Sequence, residues 1–289
     1  MINSVKLVRL PKIEDERGNL SFIESLNHIP FEIKRVYWIY DVPGGEVRGG
    51  HAFKEQEEFI VAISGSFDVV LDNGESIEKF QLNRSYMGLH VPAGKWRHLE
   101  NFSTNSIALV LASTKYNDDD YIRNYDDFMQ FVPSAKALGK KENVIHPLSN
   151  AQTNSIDDCT TIELEINHRD KGNITVIENN NTVLFATERV YYLYDVPGGE
   201  KRGGHAHKDL YQLMIAAGGS FDIELNDGKN TKTITLNRPY NGLLIKPGIW
   251  REIKNFSSGS TCLVLASLKY DESDYIRDYN EFTKYKING

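Results

Sequence analysis

Phe221, Ile223 and Leu225 alternate with Asp222 and Glu224, the period of a strand that buries one face. Asn226-Asp227-Gly228 follows as a turn, and 231–236 reads as the return strand of a hairpin. The same pattern surrounds Asp72-Asn73-Gly74. Short strands broken by Gly and Pro continue along the chain, which predicts an all-β protein built from small barrels or sandwiches of the jelly-roll type. Helical patterning is confined to 274–282 and its counterpart 120–128.

These patterns occur twice in a constant register. Arg35-Val36-Tyr37-Trp38-Ile39-Tyr40-Asp41-Val42-Pro43-Gly44-Gly45-Glu46 returns as Arg189-Val190-Tyr191-Tyr192-Leu193-Tyr194-Asp195-Val196-Pro197-Gly198-Gly199-Glu200, 154 residues later. The same offset links His51 to His205, Trp96 to Trp250 and Tyr121 to Tyr275. A period this long marks two whole domains, not a solenoid of small units. The expected domains are 1–135 and 156–289. The polar stretch 136–155, with Lys140, Lys141 and Pro147, reads as a linker.

Composition fits this division. The chain has 289 residues, 40% hydrophobic and 25% charged, enough to bury two cores. Its net charge of −7 argues against coating a nucleic-acid polymer, which needs a basic face. Local Arg residues can still hold a small anion. Cys159 and Cys262 are too few for a disulfide scaffold. No apolar run approaches the ~18 residues of a membrane span, and the N-terminus lacks the apolar core of a signal peptide. The expectation is a soluble, cytoplasmic protein that does not enter a membrane.

His205-Ala206-His207 is the most informative tripeptide. On a strand both imidazoles share a face. They could be solvated surface residues, although Gly203 and Gly204 beside them permit a close approach by backbone or ligand. They could be metal ligands, but a site needs three or more protein groups. Gln212 stands where a carboxylate ligand would be expected, and the permanently charged Arg251 where a further His would be. Acid–base catalysis accounts for both departures. Imidazole exchanges protons near neutrality, and Arg189, Arg202 and Arg251 would supply positive charge for an anionic substrate. No metal and no cofactor is expected. Tyr191 shares a strand face with Arg189 and would line the same pocket or pack the barrel. Trp250 would form either the pocket wall or the core.

The Gly-rich turn and the His pair in a small barrel resemble the cupin superfamily. Arg189-Val190-Tyr191-Tyr192, Arg202-Gly203-Gly204-His205-Ala206-His207-Lys208 and Tyr275-Ile276-Arg277-Asp278-Tyr279 resemble the WxcM-like nucleotide-sugar 3,4-ketoisomerases. The resemblance implies two tandem cupin-like domains and a metal-independent conversion of dTDP-4-keto-6-deoxyglucose to its 3-keto isomer. Such products go on to 3-amino-deoxysugars for surface polysaccharide. It implies that His205 and His207 are catalytic and that Arg189, Tyr191, Arg202, Arg251 and Lys171 bind substrate. Lys171 and Arg251 stand where family members of opposite C4 configuration differ. Arg251 matches the gluco pattern and Lys171 matches neither.

Repeat one departs from the pattern, because Phe53 replaces the second histidine and a phenyl ring moves no proton. It is expected to be catalytically degenerate. His51, Glu58 and His98 offer a weak metal set there. Relatives with one domain are homodimers, so the two repeats are expected to form a pseudo-dimer within the chain, with further homo-oligomers open. The rival readings are a dTDP-sugar 3,5-epimerase, a non-catalytic double cupin that binds a nucleotide sugar, and a metal-dependent oxygenase.

Overall fold

The computed structural model describes residues 4–131 and 150–287, and antiparallel strands dominate them. Residues 136–149 of the expected linker lie outside the described residues. Among the described residues no helix is long and apolar enough to cross a membrane.

The chain folds into two compact units whose boundaries differ from those of the repeats. Unit 1 comprises Met1–Leu10, Leu26–Val144 and Ile166–Val183; unit 2 comprises Pro11–Ser25, Ile145–Glu165 and Leu184–Gly289. Each repeat therefore gives a short segment to the other unit. The compact bodies do not run continuously along the sequence repeats.

In unit 2 a seven-stranded sheet runs in the order Thr160–Glu163, Asn241–Ile245, Gln212–Gly218, Thr261–Ala266, Arg189–Tyr194, Gly18–Glu24 and Lys12–Asp15. A five-stranded sheet runs Thr231–Leu236, Phe221–Asn226, Trp250–Lys254, Arg202–His207 and Tyr275–Ile276. Tyr191, Met214, Leu243 and Val264 of the first sheet pack with Phe221, Ile223, Leu225 and Ile253 of the second, so the core is a two-layer sandwich. The hairpin expected at 221–236 is present, and Phe221–Asn226 alternates between buried and half-buried positions as its pattern requires. Gly18–Glu24 pairs with Arg189–Tyr194 from Asn19 opposite Tyr194 to Glu24 opposite Arg189. Leu20 and Phe22 of this exchanged strand pack on the core.

Unit 1 repeats the design. Its seven strands are Lys6–Arg9, Met87–Val91, Glu58–Ser64, Ile107–Ala112, Arg35–Tyr40, Asn173–Glu178 and Ile166–Asn167; its five are Tyr121–Ile122, Arg48–Phe53, Trp96–Glu100, Phe67–Asp72 and Ile77–Leu82.

The helices begin later than the patterning suggests. Glu272–Asp274 is one turn of 3-10 helix, Tyr275–Ile276 is a strand, and the α-helix spans Tyr279–Ile287. Its counterpart spans Tyr125–Gln130. Acidic and amide side chains set these breaks by accepting backbone N–H groups. Asp271 takes the Ser273 N–H at 2.9 Å, Asp278 the Glu281 N–H at 2.9 Å, and Asn124 the Asp126 N–H at 2.7 Å.

Candidate active site

Strand alternation decides which side chains of Arg202–His207 meet. Ala206 turns outward into a small cluster with Trp250, Ile276 and Phe282, so His205 and His207 turn into the sandwich, where both are buried. Trp250 thus supports the histidine strand from behind and packs at 5.6 Å on Phe282. Arg251, one residue on, faces inward with the histidines. A bulge between Gly203 and His205 adjusts the register against Trp250–Lys254. Gly203 sits at φ +91, and a Cβ there would lie 2.9 Å from Arg251 Nη1 and 3.0 Å from the Arg251 carbonyl oxygen. Glycine is what lets these strands close.

The two imidazoles stand edge to face, with centroids 4.9 Å apart. His207 Nδ1 lies 2.8 Å from Asp274 Oδ2. Asp274 also accepts the Lys208 and Asp209 backbone N–H groups. Burial opposes ionisation of Asp274, but the His207 bond and these backbone donors hold its carboxyl below the usual range. Tyr275 covers both rings, at 4.3 Å from His207 and 4.8 Å from His205. Arg277 stacks on the Tyr275 ring at 4.3 Å and is clamped by Glu272 at 2.6 and 2.8 Å.

Opposite the histidines lies a neutral network around one cation. Arg251 Nε donates to Gln212 Oε1 at 2.8 Å, and Gln212 Nε2 donates to the Tyr191 hydroxyl at 2.8 Å. Arg251 Nη2 reaches the same hydroxyl at 3.3 Å. Arg189 lies over the Tyr191 and Tyr270 rings and donates to the Tyr275 hydroxyl at 3.4 Å. His205 Nδ1 and Nε2, His207 Nε2, Arg189 Nε and Arg251 Nη1 are buried without a hydrogen-bond partner. Such a concentration of unpaired polar atoms is costly, which makes this cluster the candidate functional site of unit 2.

Burial pushes the His205 pKa well below the ordinary imidazole value, and Arg251, His207 and Arg277 push it further; a backbone contact from Gly203 opposes weakly. Burial also lowers His207, to about 4, with Asp274 opposing and Arg251 assisting. Both rings are therefore neutral at pH 7 and ready to accept a proton.

Of the residues expected to bind substrate, Arg189, Tyr191 and Arg251 gather around the His pair. Arg202 shares the histidine strand, but its Nη1 donates to the Gly18 carbonyl at 3.1 Å and lies 3.8 Å from Asp15. It fastens the exchanged segment. Lys171 is not at this site: it belongs to unit 1 and pairs with Glu46 at 3.2 Å. The exchange of segments is the physical reason. The matching position of unit 2 is filled by Arg17, held by Asp15 at 2.9 and 2.6 Å. The one sequence signal for Asp274 is the Asp-Tyr-Ile-Arg run that carries it, repeated at 120 and 274.

The matching region of unit 1 is chemically different. His51 meets the Phe53 ring at 4.9 Å, and burial with the nearby Arg97 lowers its pKa to about 3. Arg97 is locked to Glu58, Nε to Oε2 at 2.7 Å and Nη2 to Oε1 at 3.0 Å. His98 turns away and approaches Glu100 at 3.3 Å. Hence His51, Glu58 and His98 do not converge as a metal set, and no such group of three occurs among the described residues.

The family model described as FdtA, WxcM-like, C-terminal matches residues 3–133 and again 157–287. The chain belongs to the WxcM-like FdtA family. A family relative from Aneurinibacillus thermoaerophilus, named TDP-4-oxo-6-deoxy-alpha-D-glucose-3,4-oxoisomerase, is 42% identical over 127 residues, covering 44% of this chain and 91% of the relative. The structure of a 3,4-ketoisomerase from Helicobacter canadensis is 44% identical and covers 45% of this chain and 98% of its own, with a TM-score of 0.44. The WlaRB TDP-quinovose 3,4-ketoisomerase from Campylobacter jejuni is 48% identical and covers 45% and 99%, with a TM-score of 0.43. The family model matches once in each repeat, so this WxcM-like chain carries the family unit in tandem.

Proposed function

We propose that this chain is a metal-independent isomerase that converts TDP-4-keto-6-deoxyglucose to its 3-keto isomer, with turnover in unit 2. The observation that carries the reading is the pair of buried, neutral imidazoles with open nitrogens beside the uncompensated Arg251. The 42% identity to a 3,4-oxoisomerase supports it.

The chemistry follows from the protonation states. Ionised Asp274 accepts from His207 Nδ1–H, which leaves the lone pair on Nε2. That nitrogen removes the C3 proton, which is acidic because the C4 ketone lies beside it. The electron pair moves to O4 and gives an enediolate. Arg251 Nη1 faces this growing charge, and a preorganised donor in a dry site is a strong stabiliser. His205 carries a proton from O3 to O4. Protonated His207 then returns its proton to C4, and the C3 carbonyl forms. Atoms and electrons balance within the substrate, so the cycle consumes no co-reactant. Arg251 supplies the charge that a metal would supply elsewhere. Arg189 is the candidate for the diphosphate, which a guanidinium can grip with two hydrogen bonds.

The product would serve the synthesis of 3-amino-deoxysugars for surface glycans. The buried, free Cys159 and Cys262 fit a cytoplasmic enzyme.

The test is incubation with TDP-4-keto-6-deoxyglucose in deuterated water, followed by NMR. A 3-keto product is expected, carrying at C4 the hydrogen that His207 took from C3, replaced by deuterium to the extent that Nε2 exchanges with solvent before returning it. Solvent hydrogen at C5 would identify the 3,5-epimerase, and binding without conversion would identify a non-catalytic module. Either result would overturn the proposal.

A further inference from the structure

The two units offer an internal comparison, because each buries an Arg on the strand after its Trp. Arg97 in unit 1 is paired with a carboxylate, Glu58. Arg251 in unit 2 meets Gln212 at the same place. We infer that Gln212 is a positioning residue for the reaction: its neutral amide fixes Arg251 while leaving the whole cationic charge for the enediolate, and Glu58 at the matching position helps to silence unit 1. This inference rests on the isomerase reading of the His pair.

The geometry separates position from charge. Both guanidinium groups are buried, and both are aligned by an Nε bond and a tyrosine hydroxyl, Tyr37 or Tyr191. In unit 1 Glu58 also accepts the Tyr37 hydroxyl at 2.6 Å and Gln56 Nε2 at 3.1 Å. Burial would raise the Glu58 pKa, but Arg97 and these donors hold it below the usual range, so the pair is an ionised, neutral-sum unit. In unit 2 no carboxylate among the described residues reaches Arg251. Its Nη1 is unpaired, whereas Arg97 Nη1 is not among the buried unpaired atoms. A cation keeps its effect on a nearby anion only if no fixed anion has already cancelled it.

The groups that face the histidines define the expected response. Arg251 comes from Trp250–Lys254, and Gln212 from the strand it begins. Arg189 and Tyr191 come from Arg189–Tyr194, Cys262 from Thr261–Ala266, and Asp274, Tyr275 and Arg277 from the C-terminal segment. Asp274 is the carboxylate that acts on His207, and it bonds the ring edge remote from Nε2. A negative charge at position 212 would cancel Arg251 and favour both imidazolium forms.

Gln212→Glu tests this directly, since Glu58 shows that the fold accepts a glutamate against the buried Arg. Expected are an approximately hundredfold or greater fall in kcat, KM within a few-fold of wild type, an acid limb of the kcat profile moved to higher pH, and a raised His207 titration in nitrogen-15 NMR. Gln212→Met, which removes the acceptor without adding charge, should lower kcat at least tenfold and leave the His207 titration in place. It also serves if the glutamate variant fails to fold. Wild-type turnover with unchanged kcat in either variant, or an unmoved titration in Gln212→Glu, overturns the inference and leaves the isomerase reading intact. A wild-type protein that does not isomerise the sugar fails the underlying reading, and the NMR titration still judges the electrostatic claim.

Discussion

Asp274 Oδ2 lies 2.8 Å from His207 Nδ1, while the equivalent Asp120 of unit 1 accepts the backbone N–H groups of Glu55 at 2.7 Å and Gln56 at 3.2 Å. One acidic position therefore braces a turn in both units and orients an imidazole in one. An ionised carboxylate can only accept, so it fixes the His207 tautomer with its lone pair on Nε2, the atom that the proposed reaction uses as its base.

Asp274→Asn should lower kcat by about a hundredfold or more, since an amide can donate to Nδ1 and stabilise the wrong tautomer. Asp274 raises the His207 pKa, so its removal moves the acid limb of the kcat profile to lower pH. Asp120→Asn should change thermal stability and leave turnover near wild type. Equal kcat losses in the two variants would show that both residues act through folding alone.

His205→Asn and His207→Asn should each lower kcat by roughly 10²–10⁴-fold, the usual contribution of a positioned acid–base group. His51→Asn should keep near-normal activity because Phe53 leaves unit 1 with one proton carrier. Steady-state kinetics with circular dichroism as a folding control distinguishes these outcomes. Loss of turnover in His51→Asn, with retention in His205→Asn, would reverse the roles of the units.

Acid should destabilise the fold before most carboxylates titrate. Burial lowers His51 and His207 from 6.5 to about 3 and about 4, and it lowers His205 well below 6.5. Between their folded and unfolded values the unfolded chain binds more protons, so stability falls as pH falls from about 6.5 towards 4. His51 and His207 would each contribute about 2 kcal/mol of loss at pH 5 relative to neutral pH, and His205 acts in the same direction. The double variant His51→Gln/His205→Gln should show a flatter decline of Tm between pH 7 and 5. A parallel decline in wild type and variant would exclude the histidines as its cause.

Much of the site can be read along the chain because it depends on local alternation. The spacing of His205 and His207 places both rings on one face, and the period of Phe221, Ile223 and Leu225 identifies their strand. The segment exchange has no local signature: residues 12–24 and 166–178 carry the same register, and either suits either sheet edge. That ambiguity is why the sequence assigns position 171, and not position 17, to the unit that holds the histidines. In the sequence Gln212 reads as a missing metal ligand, and its effect on Arg251 is visible only beside the buried pair Glu58 and Arg97.

The exchange makes a specific demand on a fragment containing residues 150–289. Without 11–25, the strand Arg189–Tyr194 loses its partner along the edge from Asn19 to Glu24. Tyr270 loses the Glu24 carboxylate that accepts its backbone N–H at 2.7 Å, Arg202 loses the Gly18 carbonyl, and the core loses Leu20 and Phe22. An unpaired, apolar edge of this kind invites another strand. The fragment carries one, since Asn173–Glu178 pairs with Arg35–Tyr40 in the full chain through the matching register, from Asn173 opposite Tyr40 to Glu178 opposite Arg35. Two fragments can therefore complete each other by exchanging 166–183. The expected result is a homodimer by light scattering whose activity per site falls on dilution as the exchanged dimer dissociates. Adding a peptide of residues 11–25 should restore part of the activity at low protein concentration. A stable, fully active monomer of 150–289 would show that unit 2 does not need the segment it receives.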